Sequence, residues 1–194
     1  MNAINTRNED LRITPGVPHN TNDESLRHAR ARANEHNHRF NTLSPSAFAE
    51  RAATLSVLLA KSKGVQVASS IYTEYGCHTY IGKGTFLNHN VSIIDACPVH
   101  IGNQVLIGPN TVISSVVGRF SAGPDADHEV ANPVTLGHRV WVGANVRIAA
   151  GVSIGDNCII GAGSLVTESL PANTLAYGIP AARIRKIQQN PQWI

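Results

Sequence analysis

Proton transfer near neutral pH needs histidines or carboxylates tuned by their surroundings. In this chain of 194 residues such groups fall at a few marked places. His89 follows Asn88 in Phe86-Leu87-Asn88-His89-Asn90, and His128 stands in Asp125-Ala126-Asp127-His128-Glu129. Glu74 precedes Tyr75-Gly76-Cys77-His78, and Asp95 sits in Ile94-Asp95-Ala96-Cys97-Pro98. Either histidine could take a proton from a hydroxyl, and Glu74 with Asp95 could act as an acid/base pair if the fold gathers them in one cleft. Plainer readings stand beside these: solvated surface histidines, and carboxylates that merely accept hydrogen bonds. Cys77, Cys97 and Cys158 fit neither a disulfide framework nor a zinc pattern, so reduced thiols in a reducing compartment are expected.

The element that must position these groups is written in a six-residue period. Ile81, Leu87 and Ile93 form one block, Ile101, Ile107 and Ile113 a second, and Leu136, Val142, Ile148, Ile154, Ile160 and Val166 a third. Glycine follows the apolar residue at positions such as Gly82, Gly102, Gly108, Gly137 and Gly143. A period of six fits neither helix nor flat strand and marks a parallel β-helix, with the apolar residue inside and a small one at each corner. The fold class is therefore an all-β solenoid with helical caps, its coil running over about residues 71–168. Asp95 to Pro98 is an insertion at one corner. Residues 114–134 form an excursion loop, and loops of this kind in repeat arrays often line the binding face.

Flanking segments read differently. Residues 1–21 are polar and broken by Pro15 and Pro18, and are expected to be loosely held. Within a helical region at 22–64, Thr21 to Glu24 has capping-box spacing for a helix reaching about Arg39. A second helix starts at Ser44-Pro45, with Phe48, Ala52, Leu55, Leu58 and Leu59 on one side and Gly64 closing it. Residues 169–194 leave the coil, with a short helix at about Ala181 to Gln188. The helices cap the coil, since a solenoid must cover its terminal core.

Composition removes several functions. With 42% hydrophobic and 15% charged residues the chain reads as a soluble globular protein, and 5% aromatic content suits a core of stacked aliphatic side chains. A net charge of +3 without a basic face of interleaved aromatics gives no nucleic-acid reading. No apolar run is long enough to span a membrane and no secretory signal opens the chain, so a cytoplasmic location is expected.

Several motifs carry a resemblance more specific than the repeat. Tyr75-Gly76-Cys77-His78, Phe86 to Asn90, Ile94-Asp95, Ile107-Gly108-Pro109-Asn110, Val140-Trp141-Val142-Gly143, Ile160 to Ser164 and Tyr177-Gly178-Ile179-Pro180-Ala181 resemble the maltose/galactoside/nodulation-factor O-acetyltransferases of the hexapeptide-repeat superfamily. The resemblance covers about residues 21–188. It implies a left-handed β-helix, a homotrimer, and acetyl-CoA with a small hydroxylated acceptor in the cleft between subunits. By position, Asn88 matches a residue that orients the acceptor, and Asp95 matches an acid near the pocket. Trp141, Gly163, Ser164, Thr167 and Arg183 match positions lining the CoA tunnel.

The same resemblance exposes departures. Gly118 occupies the place of the family's catalytic histidine, and Arg119 replaces the proline after it. Glu168 replaces a lysine near the CoA phosphates, and the family's opening Met-x-x-Gly-x-x-Tyr stretch is absent. With the usual base gone, His89, His128, Glu74 and Asp95 are the substitutes. A zinc site like that of the related β-helical carbonic anhydrases would need ligands in phase on successive coils; that spacing is missing, so no metal is expected. Three functions remain open: O-acetyl transfer with a relocated base, a repurposed acid/base enzyme (isomerase, dehydratase or cyclase) on the same trimer, or a non-catalytic binding protein.

Overall fold

The structure, a computed structural model, describes residue 11 and residues 13–118 and 127–187. Residues 1–10 and 12 of the expected leader, 119–126 of the excursion and 188–194 of the C-terminal extension lie outside the described residues.

Hexapeptide phase translates into a coil of about 5 turns with three walls. The first wall stacks Thr79–Ile81, Val99–Ile101, Val134–Leu136 and Ser153–Ile154 in parallel. The second runs from Gln66–Val67 through Phe86–Leu87, Leu106–Ile107, Trp141–Val142 and Ile159–Ile160 to Thr174–Gly178. The third stacks Ile71–Thr73, Val91–Ile94, Val112–Ser114, Arg147–Ile148 and Leu165–Val166. Strand register puts one repeat position above another, so Ile81, Ile101, Leu136 and Ile154 form an inward ladder. Leu87, Ile107, Val142 and Ile160 form a second, and Ile93, Ile113, Ile148 and Val166 a third. All twelve are buried in one continuous cluster.

Corners explain the small residues. A Cβ on Gly102 would lie 2.3 Å from the Gly137 carbonyl oxygen of the next coil, closer than atoms can approach. At the corner between the second and third walls, Asn90, Asn110 and Asn145 take φ of 56°, 58° and 56°. Asparagine tolerates that left-handed conformation, which gives Asn90 a structural reason to follow His89.

Helix α1 (Glu24–Thr42) lays Leu26, Ala29, Ala33, Asn37 and Phe40 against the coil. Its side-chain amides complete the open strand edge: Asn37 donates to the Thr73 carbonyl at 2.8 Å and accepts from the Thr73 amide at 3.1 Å. Asn41 does the same for Ile71, at 2.9 Å in both directions. Helix α2 (Phe48–Leu58) buries Arg51, whose guanidinium stacks on Phe40 at 4.1 Å and donates to the Val67 and Ala68 carbonyls.

Several sequence expectations shift. Asp23, not Thr21, caps α1, its carboxylate accepting from the Ser25 amide at 2.8 Å. Leu55, Leu58 and Leu59 are buried as expected, but Phe48 and Ala52 are exposed, and the helix buries Arg51 and Thr54 as well. The helix ends with Leu59 as its C-cap, and Gly64 serves a later turn at φ 75°. Ala181–Lys186 is a strand, not a helix, because it pairs antiparallel with Thr174–Gly178 at the open edge of the second wall. The described part of the leader is held down: the Gly16 amide donates to the Ala131 carbonyl, and His19–Asn20 pairs with the excursion.

Candidate functional site

The excursion returns as the strand His128–Ala131, which forms a small antiparallel sheet with Val116–Val117 on one side and His19–Asn20 on the other. This sheet lies against the corner between the third and first walls, where Glu74 to His78 turns. A second apolar cluster joins Tyr75, Cys77, Ala96 and Cys97 of the corner to Leu26 and Ala29 of α1 and to Ala131, with Val116 packed against it. Because strand side chains alternate, Glu129 shares the Ala131 face and turns toward the corner, while His128 belongs to the opposite face. Sequence reading singled out His128; its neighbour Glu129 is the one directed at Glu74.

Glu74 is the most perturbed carboxyl of this corner. Burial, then the charge of Glu129 and more weakly that of Asp95, push it up to about 7 against the pull of Arg30. Arg30, from α1, donates to the Tyr75 hydroxyl at 2.7 Å and lies over its ring. The same burial raises Tyr75 to about 12. A glutamate held near neutrality can give or take a proton at physiological pH.

Asp95 has another role. It is fully buried, and its carboxylate accepts from the Tyr75 amide at 2.8 Å, the His78 amide at 3.3 Å and the Thr79 hydroxyl at 2.9 Å. It braces the turn that carries Glu74. His78 is committed as well, its ring nitrogens facing the carbonyls of Asp95 and Leu11 at 2.9 and 3.0 Å. Desolvation raises all three cysteine thiols, which keeps them un-ionised and unreactive.

Asn88 and His89 lie elsewhere in the chain, at the corner between the second and third walls. Asn88 accepts from the His89 amide at 2.8 Å, and the exposed His89 ring meets the Ser69 hydroxyl at 3.2 Å. The strand Ile71–Thr73 separates this corner from Glu74 within one coil. One chain therefore does not gather all five candidates. It brings Glu74 and Asp95 together with the His128–Glu129 strand, and leaves Asn88 and His89 apart.

The repeat and the fold have known relatives. Residues 133–168 match the family model described as bacterial transferase hexapeptide (six repeats). The galactoside O-acetyltransferase of Escherichia coli (strain K12) is 36% identical over 84% of this chain and 82% of its own length. The chain belongs to the hexapeptide-repeat O-acetyltransferase family. The crystal structure of a maltose O-acetyltransferase from Clostridium difficile 630 superposes with a TM-score of 0.86 at 33% identity, covering 90% of this chain and 94% of the other. A hexapeptide-repeat acetyltransferase of Vibrio cholerae O1 biovar eltor, solved with acetyl coenzyme A, gives 0.79 at 29% identity over 87% and 92%. The coil is accordingly the left-handed β-helix of this family.

Against that background the five positions expected to line a CoA tunnel separate. Trp141 stands outward on the second wall, in register with Leu106 and Ile159, and Arg183 lies on the strand added to the same wall. Gly163 is an exposed corner at φ 72° with nothing within 4 Å of where its Cβ would be. Ser164 is buried, its hydroxyl donating to the Gly161 carbonyl at 2.6 Å and accepting from the Gly178 amide at 3.2 Å, so it shapes the corner from beneath. Thr167 is exposed at the far end of the third wall. Among the described residues no group of three or more His, Cys, Asp or Glu is arranged to hold a metal ion, and no helix is long and apolar enough to cross a membrane.

His19 and Glu129 are functional candidates that sequence reading missed. His19 sits between Pro18 and Asn20 in a polar leader with no periodic signal. Only the strand register, which joins it to the excursion, makes it visible.

Proposed function

We propose that the protein transfers an acetyl group from acetyl-CoA to a hydroxyl of a small molecule, in a homotrimer whose clefts each draw on two copies of the chain. The observation that carries this reading is Glu74, held near neutrality beside Glu129 at a corner the excursion covers. An acceptor hydroxyl needs a proton acceptor as its oxygen attacks the thioester carbonyl, and the corner supplies titratable groups where the family histidine is replaced by Gly118. Trp141, Gly163, Thr167 and Arg183 present the surface for CoA, with Ser164 supporting Gly163 from below. Asn88 and His89 of a neighbouring copy complete the acceptor side, which accounts for their separation from Glu74 within one chain.

The test is acetyl-CoA binding followed by turnover. At 100 times its dissociation constant acetyl-CoA should add ~2.7 kcal/mol to stability, read as a rise in Tm. Release of the CoA thiol should then depend on adding a hydroxylated acceptor. Maltose and simple galactosides are expected to be poor acceptors, because both Gly118 and the altered leader change the acceptor side.

A second reading is favoured by one feature of the sequence, the glycine at position 118 where the family resemblance calls for a histidine. In it the trimer has kept the cleft and exchanged acetyl transfer for acid/base chemistry such as isomerisation, dehydration or cyclisation. No acetyl-CoA-dependent Tm shift, with no thiol release for any acceptor, would select it over the first.

A further inference from the structure

Glu129 and His19 face each other across the small antiparallel sheet, and Gly118 follows directly on its third strand. Val116 pairs with Ala131 and Val117 with Val130; the pairing ends there, and the same register continued by one residue would set Gly118 opposite Glu129. On its other edge the same strand pairs Glu129 directly with His19. Directly opposed residues share a face of the sheet, with Cβ atoms about 4.5–5.5 Å apart. In that continued register Glu129 is flanked by a residue without a side chain on one side and by an imidazole on the other. A Cβ on Gly118 would meet no described residue within 4 Å.

The His19 ring has no strong partner among the described residues. Both of its nitrogens are shielded from solvent in the single chain and neither has a well-formed hydrogen bond to a described residue, although the Val17 backbone lies close enough to favour the protonated ring. Leaving a buried imidazole unsatisfied costs free energy, and such a group in a native fold calls for a reason. Here a reason is at hand, because its partner Glu129 is the residue whose charge reaches Glu74.

We propose that His19 is the proton acceptor of the transfer reaction and that Glu129 orients its ring and balances its charge. The pair does from one side of Glu129 what a histidine at position 118 would do from the other. This rests on the O-acetyl transfer reading above. One ring nitrogen of His19 takes the acceptor's hydroxyl proton as that oxygen bonds to the thioester carbonyl carbon. The carbon–sulfur bond then breaks, and the imidazolium returns the proton to the departing CoA sulfur, so an acetate ester and a thiol are the products. His19 titrates below the ordinary histidine value, chiefly through burial and then through His128 and Arg30, with Glu129 opposing the shift. The ring is therefore neutral, and competent to accept a proton, at pH 7.

The experiment measures CoA thiol release by the full chain with acetyl-CoA and a panel of monosaccharide and disaccharide acceptors, across the pH range. Wild type, His19→Ala, Glu129→Gln and the double variant His19→Ala with Gly118→His are compared. His19→Ala should lower kcat by ~10²–10⁴-fold with little change in the KM for acetyl-CoA. Adding Gly118→His should recover roughly tenfold or more, since it returns an imidazole to Glu129. NMR of histidine-labelled protein should show the His19 pKa falling further in Glu129→Gln, a readout independent of turnover. An active wild type whose His19→Ala variant keeps its kcat would overturn the role of His19 and leave the acetyltransferase reading standing. A His19 titration that ignores Glu129→Gln would overturn the pairing. A wild type that neither binds acetyl-CoA nor releases thiol would overturn the acetyltransferase reading itself, and the proton-acceptor role with it.

Discussion

Asp95 reaches back one coil to accept the Tyr75 amide at 2.8 Å, and the same carboxylate takes the Thr79 hydroxyl at 2.9 Å. A carboxylate so engaged is a bracket. It fixes the backbone of the Glu74–Thr79 turn, and so the direction in which Glu74 leaves the coil.

Asp95→Ala should accordingly act on stability first. It strands two backbone amides and a hydroxyl, and Tyr75 and Thr79 are among the buried residues. At ~1–3 kcal/mol for each unsatisfied buried group, a loss of about 3 kcal/mol or more is expected in urea unfolding. Asp95→Asn keeps one acceptor oxygen and should lose less. A variant of unchanged stability that has lost turnover would instead make Asp95 a chemical participant.

Glycine substitutions should divide by position. Gly102→Ala drives its methyl into the Gly137 carbonyl at 2.3 Å, and should cost ~3 kcal/mol or more, because two stacked coils must part. Gly118→Ala meets no described residue within 4 Å and should fall within ~0.5 kcal/mol of wild type. Equal effects in thermal melts would contradict the corner stacking.

The fold was legible because a period of six repeats one local rule many times, and each inward residue pairs with its own copy in the next coil. Ile101 over Ile81 and under Leu136 follows directly from phase. Segments lacking that repetition were read from propensity, and tertiary context overrode it. Ala181–Lys186 has helix-forming residues, yet the open edge of the second wall draws it into a strand. The site was half legible. Glu74 stands beside a recognisable Tyr-Gly motif, but its perturbation comes from burial and then from Glu129, which only the folded excursion brings close. His19 and Glu129 are far apart in sequence, and no spacing rule joins them.

Trimer formation should be measurable and tied to the second wall. Phe86, Leu106, Trp141 and Ile159 stand outward in register, an apolar row that another copy of the chain would cover. Light scattering at micromolar concentration should give a trimer. Leu106→Asp changes a side chain that is 48% exposed in the single chain, so it should dissociate the trimer and leave the circular dichroism of the coil intact. A monomeric wild type would remove the basis for a site shared between copies.

Stability should fall as pH rises through the range in which Glu74 titrates. Its folded pKa is raised from 4.5 to about 7, so between these values the folded chain holds a proton that the unfolded chain has released. More protons bound in the folded state means that stability declines with increasing pH across this window and levels off above it. At 1.36 kcal/mol for each pH unit the decline amounts to roughly 3 kcal/mol. Glu74→Gln removes the titration while keeping the shape of the side chain. Its unfolding free energy should therefore vary less between pH 4.5 and 7, and at pH 8 it should exceed that of wild type. A wild-type curve that rises over the same interval would show that Glu74 is ionised and stabilised in the folded chain, with Arg30 outweighing both burial and Glu129.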